Sequence, residues 1–231
     1  MINIIAFDAD DTLWHNEHLY HDAKVTLTKI LANYGGPDVI QARMDQTEVH
    51  NIKYYGYGIK SFALSMLEVA ADISQGNATG EEIGEIIAIA KSMLTAPVEL
   101  IDGTEETVRQ LSNTYDLMLI TKGDLFEQDR KIGISGIAEY FRYLEVVGEK
   151  SEKTYQALLE KYNLDPAGFM MVGNSLRSDI LPVLKIGGQA VYIPNETTWF
   201  HEHAGQDEVG EHKFGELEHL SQLLEYLQQL K

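Results

Sequence analysis

Two kinds of hydrophobic pattern occur along this chain. The first is a short run of consecutive apolar residues, which is typical of a strand buried on both faces of a parallel sheet. The second places apolar residues three or four positions apart, which predicts an amphipathic helix. The predicted strands are Ile4–Phe7, Asp116–Thr121, Tyr143–Val147, Phe169–Gly173 and Ala190–Ile193. From Leu100 onward strands and helices alternate, and this order predicts a parallel sheet with right-handed crossovers.

The helices predicted in this alternating part begin with one that Gly103-Thr104 introduces. Thr104 is a favourable N-cap residue, and Glu105 and Glu106 are well placed in the first turn that follows. The predicted helices are residues 105–111, Phe126–Ile132, Lys153–Tyr162, Ser178–Lys185 (which contains Pro182) and Glu216–Leu230. Such helices are expected to cover the faces of the sheet.

The stretch between the first strand and Pro97 has a helical pattern throughout. Its loops are short and it contains no run typical of a strand. The predicted helices are His18–Tyr34, Pro37–Tyr54, Lys60–Ile73 and Glu81–Leu94. We therefore expect a small helical bundle that is inserted between the first strand and the rest of the sheet.

Composition and charge narrow the classes of function. The chain has 231 residues, of which 44% are hydrophobic and 23% are charged, as in ordinary globular proteins. Its net charge of −18, without any run of Lys or Arg, argues against nucleic acid and membrane-surface partners. The lack of cysteine excludes a disulfide framework, a thiolate zinc site and a cysteine nucleophile. With no apolar stretch of about 18 residues and no leader-like segment, we expect a cytoplasmic protein without a membrane span.

Polar side chains follow four of the predicted strands at the point where each strand ends. They are Asp8 and Asp10, Thr121, Lys150, and Asn174 with Asp179. Ligands of open α/β sheets bind beyond the carboxyl ends of the strands, so these groups are expected to converge. Oxygen ligands suit a hard cation such as Mg²⁺ beside a phosphate, and lysine and hydroxyl groups can hold the remaining phosphate oxygens.

Four short motifs in this order resemble those of the haloacid dehalogenase-like (HAD) hydrolases. Motif one is Asp-x-Asp-x-Thr after an apolar strand, matched by Asp8-Ala9-Asp10-Asp11-Thr12. Motif two is a strand that ends in Thr or Ser, matched by Thr121, and motif three is a lysine, for which we choose Lys150 over Lys153 because it lies nearer the strand end. Motif four is Gly-Asp-x-x-x-x-Asp, matched by Gly173–Asp179 with Asn in place of the first Asp. The resemblance covers nearly the whole chain.

The resemblance implies a fold and a division into domains. It implies the α/β class, with a Rossmann-like parallel sheet core in three α/β/α layers and an inserted all-helical cap domain. The core domain would comprise residues 1–14 and 97–231, and the cap domain residues 15–96. In one subgroup of the family, the cap at this position determines specificity.

The resemblance also implies roles for the matching residues. Asp8 would be the nucleophile that becomes an aspartyl-phosphate, which splits one displacement into two easier ones. Asp10 would protonate the leaving alcohol and later activate water. Thr121 and Lys150 would bind phosphoryl oxygens, and Lys122 beside them is a further candidate for substrate binding.

The implied cofactor is Mg²⁺. It would be held by the Asp8 carboxylate, the Asp10 backbone carbonyl and the motif-four side chains Asn174 and Asp179. Asn174 departs from the motif and removes one negative charge. The departure predicts a weaker metal site in which Asp179 takes a larger share.

Other polar residues have structural and functional interpretations that the sequence leaves open. Asp11 matches no role in the family, and we expect it to cap a following helical turn. His15, His18 and His21 could share a helix face, and His201-Glu202-His203 lie close together, but a zinc site needs convergent ligands. The aromatic and glycine residues of Tyr54–Gly58 fit a substrate-facing cap loop as well as packing between helices. Trp14 and Arg177 flank motif residues and could reach a substrate.

The favoured function is a Mg²⁺-dependent phosphatase that acts on a small phosphorylated metabolite. One alternative is a metal-independent 2-haloacid dehalogenase, against which Asp10 argues, because those enzymes resemble Asp-x-Tyr at motif one. A phosphomutase and a non-catalytic phospho-ligand-binding protein are the others, and Asn174 is the one feature that supports the last. We expect no nucleic acid and no membrane partner, and the sequence indicates neither the substrate nor the oligomeric state.

Overall fold

The computed structural model describes residues 2–195, 198–199, 202, 206–210 and 213–230. The chain forms two compact units. The core unit comprises Met1–Glu17, Val98–Lys122 and Gln128–Lys231, and the helical unit comprises His18–Pro97 and Gly123–Glu127.

The helices are numbered in chain order. They are α1 Glu17–Ile30, α2 Pro37–Tyr55, α3 Ile59–Ile73, α4 Gly80–Thr95, α5 Thr104–Leu111, α6 Leu125–Ile134, α7 Glu152–Tyr162, α8 Leu181–Lys185, α9 Gln206–Val209 and α10 Leu223–Gln229. Among the described residues, no helix is long and apolar enough to cross a membrane.

A parallel sheet of six strands forms the centre of the core unit. The strands are β1 Ile4–Phe7, β2 Asp116–Lys122, β3 Tyr143–Val147, β4 Phe169–Gly173, β5 Gln189–Tyr192 and β6 Gly215–Glu216. Their spatial order is β3-β2-β1-β4-β5-β6, and every neighbouring pair is parallel. The direction in which successive strands are added reverses between β1 and β4. The carboxyl ends of two such strands are the usual binding position in a doubly wound sheet.

Side chains of β1 alternate between two apolar layers. Ile5 and Phe7 pack into a cluster that includes residues of α5, α6 and α10. Ile4 and Ala6 pack on the other face with residues of α7 and α8. Because successive residues of a strand point to opposite faces, a run of four apolar residues serves both layers. The expected α/β/α arrangement of the core is therefore confirmed.

The register of β1 sets the position of the residues that follow it. Phe7 lies opposite Leu119 of β2 on one side and Val172 of β4 on the other. The backbone N–H of Asp8 then donates to the carbonyl of Val172 at 2.9 Å. Asp8 is therefore the first residue after β1 and lies at the switch point, level with Gly173, the last residue of β4.

The helical unit has its own apolar core, to which α1 to α4 all contribute. Thr79 begins α4 with a capping box, in which its hydroxyl accepts from the N–H of Glu82 and the Glu82 carboxylate accepts from the N–H of Thr79. Gly56 and Gly58 have φ of 71° and 109° in the connection between α2 and α3. Positive φ is costly for other residues, so this sharp connection depends on glycine.

Three details of the sequence prediction for the core unit are wrong. Gly103, with φ of 82°, occupies the N-cap of α5, and Thr104 is the first helical residue, because only the glycine adopts the left-handed turn easily. A π-helical turn covers Leu176–Ile180, and α8 begins only at Leu181, with Pro182 in its first turn.

The third wrong detail is the closing helix predicted over Glu216–Leu230. The structure has the short strand β6, a 3₁₀ turn at Leu220–Gln222 and then α10. Gly215 packs so closely on Tyr226 that a Cβ there would lie 2.6 Å from the ring. This contact belongs to a strand lying against the helix, and helical periodicity alone does not reveal it.

The helical unit contains a partly buried ionic cluster that is suitable for a stability test. Lys24 of α1 donates to Asp45 at 3.0 Å and lies 2.9 Å from Glu48, both on α2. We predict that Lys24→Met lowers the free energy of unfolding by about 3 kcal/mol, because the largely covered carboxylate of Glu48 loses its counter-charge. Urea denaturation followed by circular dichroism measures the change. Lys29→Met, on the exposed side of α1, is the control, and equal small effects of the two variants would contradict the prediction.

Candidate active site

A buried ion triad lies at the switch point of the sheet. The Lys150 ammonium donates to Oδ1 of Asp8 and, at 2.7 Å, to Oδ1 of Asp179. All three side chains are at most 10% exposed. Charges buried this deeply are costly unless they are paired and hydrogen-bonded, and the triad meets that condition.

The triad fixes the charge of the lysine. Burial alone lowers the pKa of Lys150, but the charges of Asp179 and Asp8 outweigh burial and raise that pKa above its usual range. Burial raises the pKa of Asp179, against the opposing effect of Lys150. Lys153 is exposed on α7, so the geometry favours Lys150 as the motif-three lysine.

Asp179 reaches the triad because the chain folds back tightly after β4. Its second oxygen accepts from the backbone N–H of Ser175 at 3.0 Å. A Cβ on Gly173 would lie 2.3 Å from Oδ2 of Asp179, so only glycine fits there. The hydroxyl of Ser175 accepts from the N–H of Ser178 and starts the π-helical turn.

Asp8 and Asn174 present oxygen atoms beside a shared hydroxyl. Oγ1 of Thr12 lies 3.0 Å from Oδ2 of Asp8 and 3.4 Å from Oδ1 of Asn174. The amide nitrogen of Asn174 donates to Oγ1 of Thr198 at 3.3 Å, which leaves the carbonyl oxygen facing Thr12. A carboxylate oxygen next to an amide oxygen is a donor set that suits Mg²⁺.

The predicted metal residues are therefore brought together only in part. Both oxygens of Asp179 are already hydrogen-bonded, to Lys150 and to Ser175, although each carboxylate oxygen keeps a further lone pair. In the described part of the chain no cluster of three or more His, Asp or Glu side chains could by itself hold a metal ion. The ligands predicted from the sequence do not form such a cluster, because two of them are the side-chain amide of Asn174 and the backbone carbonyl of Asp10.

The end of β2 contributes a hydroxyl and a second lysine. Thr121 is buried at the carboxyl end of the strand, two positions beyond the residue paired with Phe7. Lys122 donates to the hydroxyl of Ser178 at 3.0 Å and forms an ion pair with Glu202. Lys122 was predicted to reach the substrate, but here its charge is balanced by a carboxylate.

Glu202 was not predicted as a site residue. Its carboxylate accepts from the hydroxyl of Ser175 at 2.6 Å and from that of Ser178, besides the pair with Lys122. Burial raises its pKa, but Lys122 and the two hydroxyls outweigh burial and lower that pKa to about 2. Glu202 follows no predicted strand and no family motif, and only the triplet His201-Glu202-His203 drew attention to this position. The neighbouring His201 and His203 lie outside the described residues.

Asp10 lies in a separate network that faces α6. Its carboxylate accepts from the indole N–H of Trp14 at 2.6 Å, from the amide of Gln128 at 2.8 Å and from Lys131 at 2.8 and 2.9 Å. Burial raises the pKa of Asp10, but the charge of Lys131 and the hydrogen bonds lower it below the usual range. Gln128 and Lys131 were not predicted. Their spacing of three on one helix was the only available signal.

Asp11 has the structural role that its position suggested. At φ of 61°, it turns its carboxylate to accept from the backbone N–H groups of Asn16 and Glu17 at the start of α1. Burial raises its pKa to about 6, although these hydrogen bonds oppose the change. Trp14 is fully buried, and Arg177 forms a surface ion pair with Glu208, so their contacts are accounted for without a substrate.

The fold and this set of strand-end residues define a hydrolase of the haloacid dehalogenase type. The haloacid dehalogenase-like hydrolase family model matches residues 2–187, and the chain belongs to this family. A haloacid dehalogenase-like family hydrolase from Xanthomonas campestris has a similar structure, with a TM-score of 0.88 and 36% identity over 99% of this chain and 91% of that chain.

Two curated relatives are more distant. 5-Amino-6-(5-phospho-D-ribitylamino)uracil phosphatase YigB of Escherichia coli (strain K12) is 22% identical, over 84% of each chain. Glyceraldehyde 3-phosphate phosphatase of Pyrococcus abyssi (strain GE5 / Orsay) is 26% identical, over 84% of this chain and 82% of the relative.

The close approach at Gly173 leads to a testable prediction. Gly173→Ala should force Asp179 away and loosen its contact with Lys150, and it should destabilise the core unit by about 1–3 kcal/mol through overpacking. Gly148→Ala is the matched control, because no atom lies within 4 Å of a Cβ there. Chemical denaturation of both variants measures the difference. If Gly173→Ala is as stable as the control, the predicted steric conflict is contradicted.

Proposed function

We propose that this protein is a Mg²⁺-dependent phosphatase that hydrolyses a small phosphorylated metabolite through an aspartyl-phosphate on Asp8. The observation that carries the proposal is the buried Lys150, which is hydrogen-bonded to both Asp8 and Asp179. A carboxylate that emerges at the switch point and is held by a buried ammonium is well placed to attack an anionic group.

In the first step a carboxylate oxygen of Asp8 forms a bond to phosphorus while the bond from phosphorus to the leaving alcohol breaks. Asp10 gives a proton to the departing oxygen. In the second step water attacks the aspartyl-phosphate, Asp10 takes a proton from that water, and inorganic phosphate leaves. Lys150 and Thr121 bind the phosphoryl oxygens, where positive charge and hydrogen-bond donors stabilise the transition state.

Asp8, the backbone carbonyl of Asp10, Asn174 and Asp179 are the residues that would hold Mg²⁺. When bound, the ion neutralises phosphate charge and orients the phosphoryl group. The oxygens of Asp8 and Asn174 on either side of Thr12 support this assignment. Asn174 supplies an amide in place of a third carboxylate, so we expect a modest affinity for the ion.

The relatives support phosphate ester hydrolysis over the alternatives. Two of them carry the names of phosphatases that act on small phosphorylated molecules. Asp10 supports the same reaction, because a positioned carboxyl is needed to protonate an alcohol, whereas a halide leaves without a proton.

We also propose that the helical insertion, residues 15–96, acts as a cap that selects the substrate. Its exposed aromatic residues, Tyr54 and Tyr55, precede the glycine connection between α2 and α3. Gly123–Glu127, which directly follow Thr121 and Lys122 in the chain, are part of the same compact unit. Exposed aromatic side chains beside a sharp connection are suited to contact the organic part of a substrate.

The proposed function is tested with a panel of phosphorylated metabolites and p-nitrophenyl phosphate, with and without Mg²⁺. We expect turnover that requires Mg²⁺ and that falls by at least about 10³-fold in Asp8→Asn, because the amide cannot act as nucleophile. Asp129→Asn, an exposed position on α6, is the matched control and should retain activity. Halide release from 2-haloacids without metal, or phosphate binding without turnover, would contradict the proposal.

Asn174 provides a separate prediction. Asn174→Asp should lower the Mg²⁺ concentration for half-maximal activity, because an additional carboxylate attracts the ion more strongly. Isothermal titration with Mg²⁺ alone should show the same direction. Asn113→Asp, in an exposed turn, controls for the change in net charge. Coincident titration curves for the wild type and Asn174→Asp would rule out a role for this amide in metal affinity.

A further inference from the structure

We propose that Lys131 is a positioning residue that, with Gln128, holds the Asp10 carboxylate in the orientation needed for proton transfer to the leaving group. The inference rests on the proposed phosphatase function and extends it to residues outside the four family motifs. It concerns the step in which a poor leaving group must be protonated.

Lys131 contacts both carboxylate oxygens of Asp10. Nζ of Lys131 lies 2.8 Å from one carboxylate oxygen and 2.9 Å from the other, and it also donates to Oδ1 of Asn16 at 3.1 Å. The lysine side chain is only 9% exposed. An ammonium that contacts both oxygens resists rotation of the carboxylate, because any rotation lengthens at least one short hydrogen bond.

Gln128, one turn earlier on α6, adds a second constraint. Its amide nitrogen donates to Oδ2 of Asp10 at 2.8 Å and to the backbone carbonyl of Lys122 at 3.3 Å. Both partners are acceptors, so the orientation of the amide is determined by the network. Gln128 thereby ties Asp10 to the end of β2, next to the phosphate-binding residue Thr121.

Trp14 is a third donor to Asp10, and it follows β1, whereas Gln128 and Lys131 belong to α6. Its indole N–H donates to Oδ1 of Asp10 at 2.6 Å, and the ring itself is fully buried in the apolar core. The carboxylate is thus held by donors from the loop after β1 and from α6. The Trp14 ring and these two side chains of α6 therefore restrict the rotation of the Asp10 carboxylate.

The contacts with Lys131 favour the ionised form of Asp10, whereas the negative charge of a bound phosphate ester favours the protonated form that gives up the proton. The contribution of Lys131 is therefore to the position of the carboxyl group, and its expected consequence is a dependence on the leaving group. A general acid contributes about 10²- to 10⁴-fold where a poor leaving group must be protonated, and little where the leaving group is already stable as an anion. A displacement of about 1 Å from the productive geometry can cost about 10²-fold. A variant that releases Asp10 should therefore slow the hydrolysis of alkyl phosphates and spare that of p-nitrophenyl phosphate.

The experiment compares Lys131→Met with the wild type on p-nitrophenyl phosphate, phenyl phosphate and glycerol phosphate. We expect kcat/KM for glycerol phosphate to fall about 10- to 100-fold more than that for p-nitrophenyl phosphate. Lys131→Arg should recover part of the loss, because it restores two donors. Asp10→Asn should show the same selectivity, and combining it with Lys131→Met should add little, as expected for residues that act as a unit.

Two further variants distinguish a loss of catalysis from a failure to fold. Gln128→Met removes the amide without leaving an unpaired charge, so it carries the test if Lys131→Met does not fold, and it should produce a smaller selective loss. Lys185→Met removes a surface lysine paired with Glu152 and should change no substrate's kcat/KM. The melting temperature of each variant is measured beside its kinetics.

The outcomes separate this inference from the function on which it rests. A uniform loss on all three esters, or no loss in an active enzyme, would show that Lys131 only stabilises the fold and would overturn the inference alone. A wild type that hydrolyses none of the esters in the presence of Mg²⁺ would overturn the proposed function, and the inference with it.

Discussion

The ammonium of Lys150 is the group on which the candidate site depends. It neutralises Asp8, which emerges from β1, and Asp179, which belongs to the turn after β4. Removing one member of such a triad would leave a buried charge without its partner. The tight turn at Gly173 and the adjacency of β1 and β4 are both required to bring these charges together. The sheet order and the local backbone therefore act as one constraint on the site.

The two motif-one acids lie two residues apart and have different environments. Asp8 contacts Lys150, whereas Asp10 contacts Lys131, Gln128 and the indole of Trp14. Separate cationic partners allow neighbouring carboxylates to remain close without sharing one site, which is how two acids can take different roles. In the proposed mechanism Asp8 is the nucleophile, and Asp10 is the general acid and base.

Features that depend on local pattern, such as the strands and the residues at their ends, were predictable from the sequence. Features that depend on contacts between distant parts of the chain were not. Short apolar runs located the central strands, because a strand covered on both faces needs apolar residues at every position. Residues at strand ends were identifiable for the same reason. Glu202 and Lys131 were not, since their partners lie far away in the chain and no local pattern requires them. The closing helix was overextended because periodicity does not detect the contact of Gly215 with Tyr226.

The charges of the site give a physical reason for the proposed metal ion. Lys122 is paired with Glu202 and Lys131 with Asp10, whereas Lys150 is paired with both Asp8 and Asp179. The triad therefore has two carboxylates for one ammonium, in a chain whose overall charge is −18. A phosphate dianion would be repelled unless a cation changed the sign of the local field. Asn174 in place of an acid weakens the attraction for that cation, but it also removes one repulsive charge from the path of the phosphate.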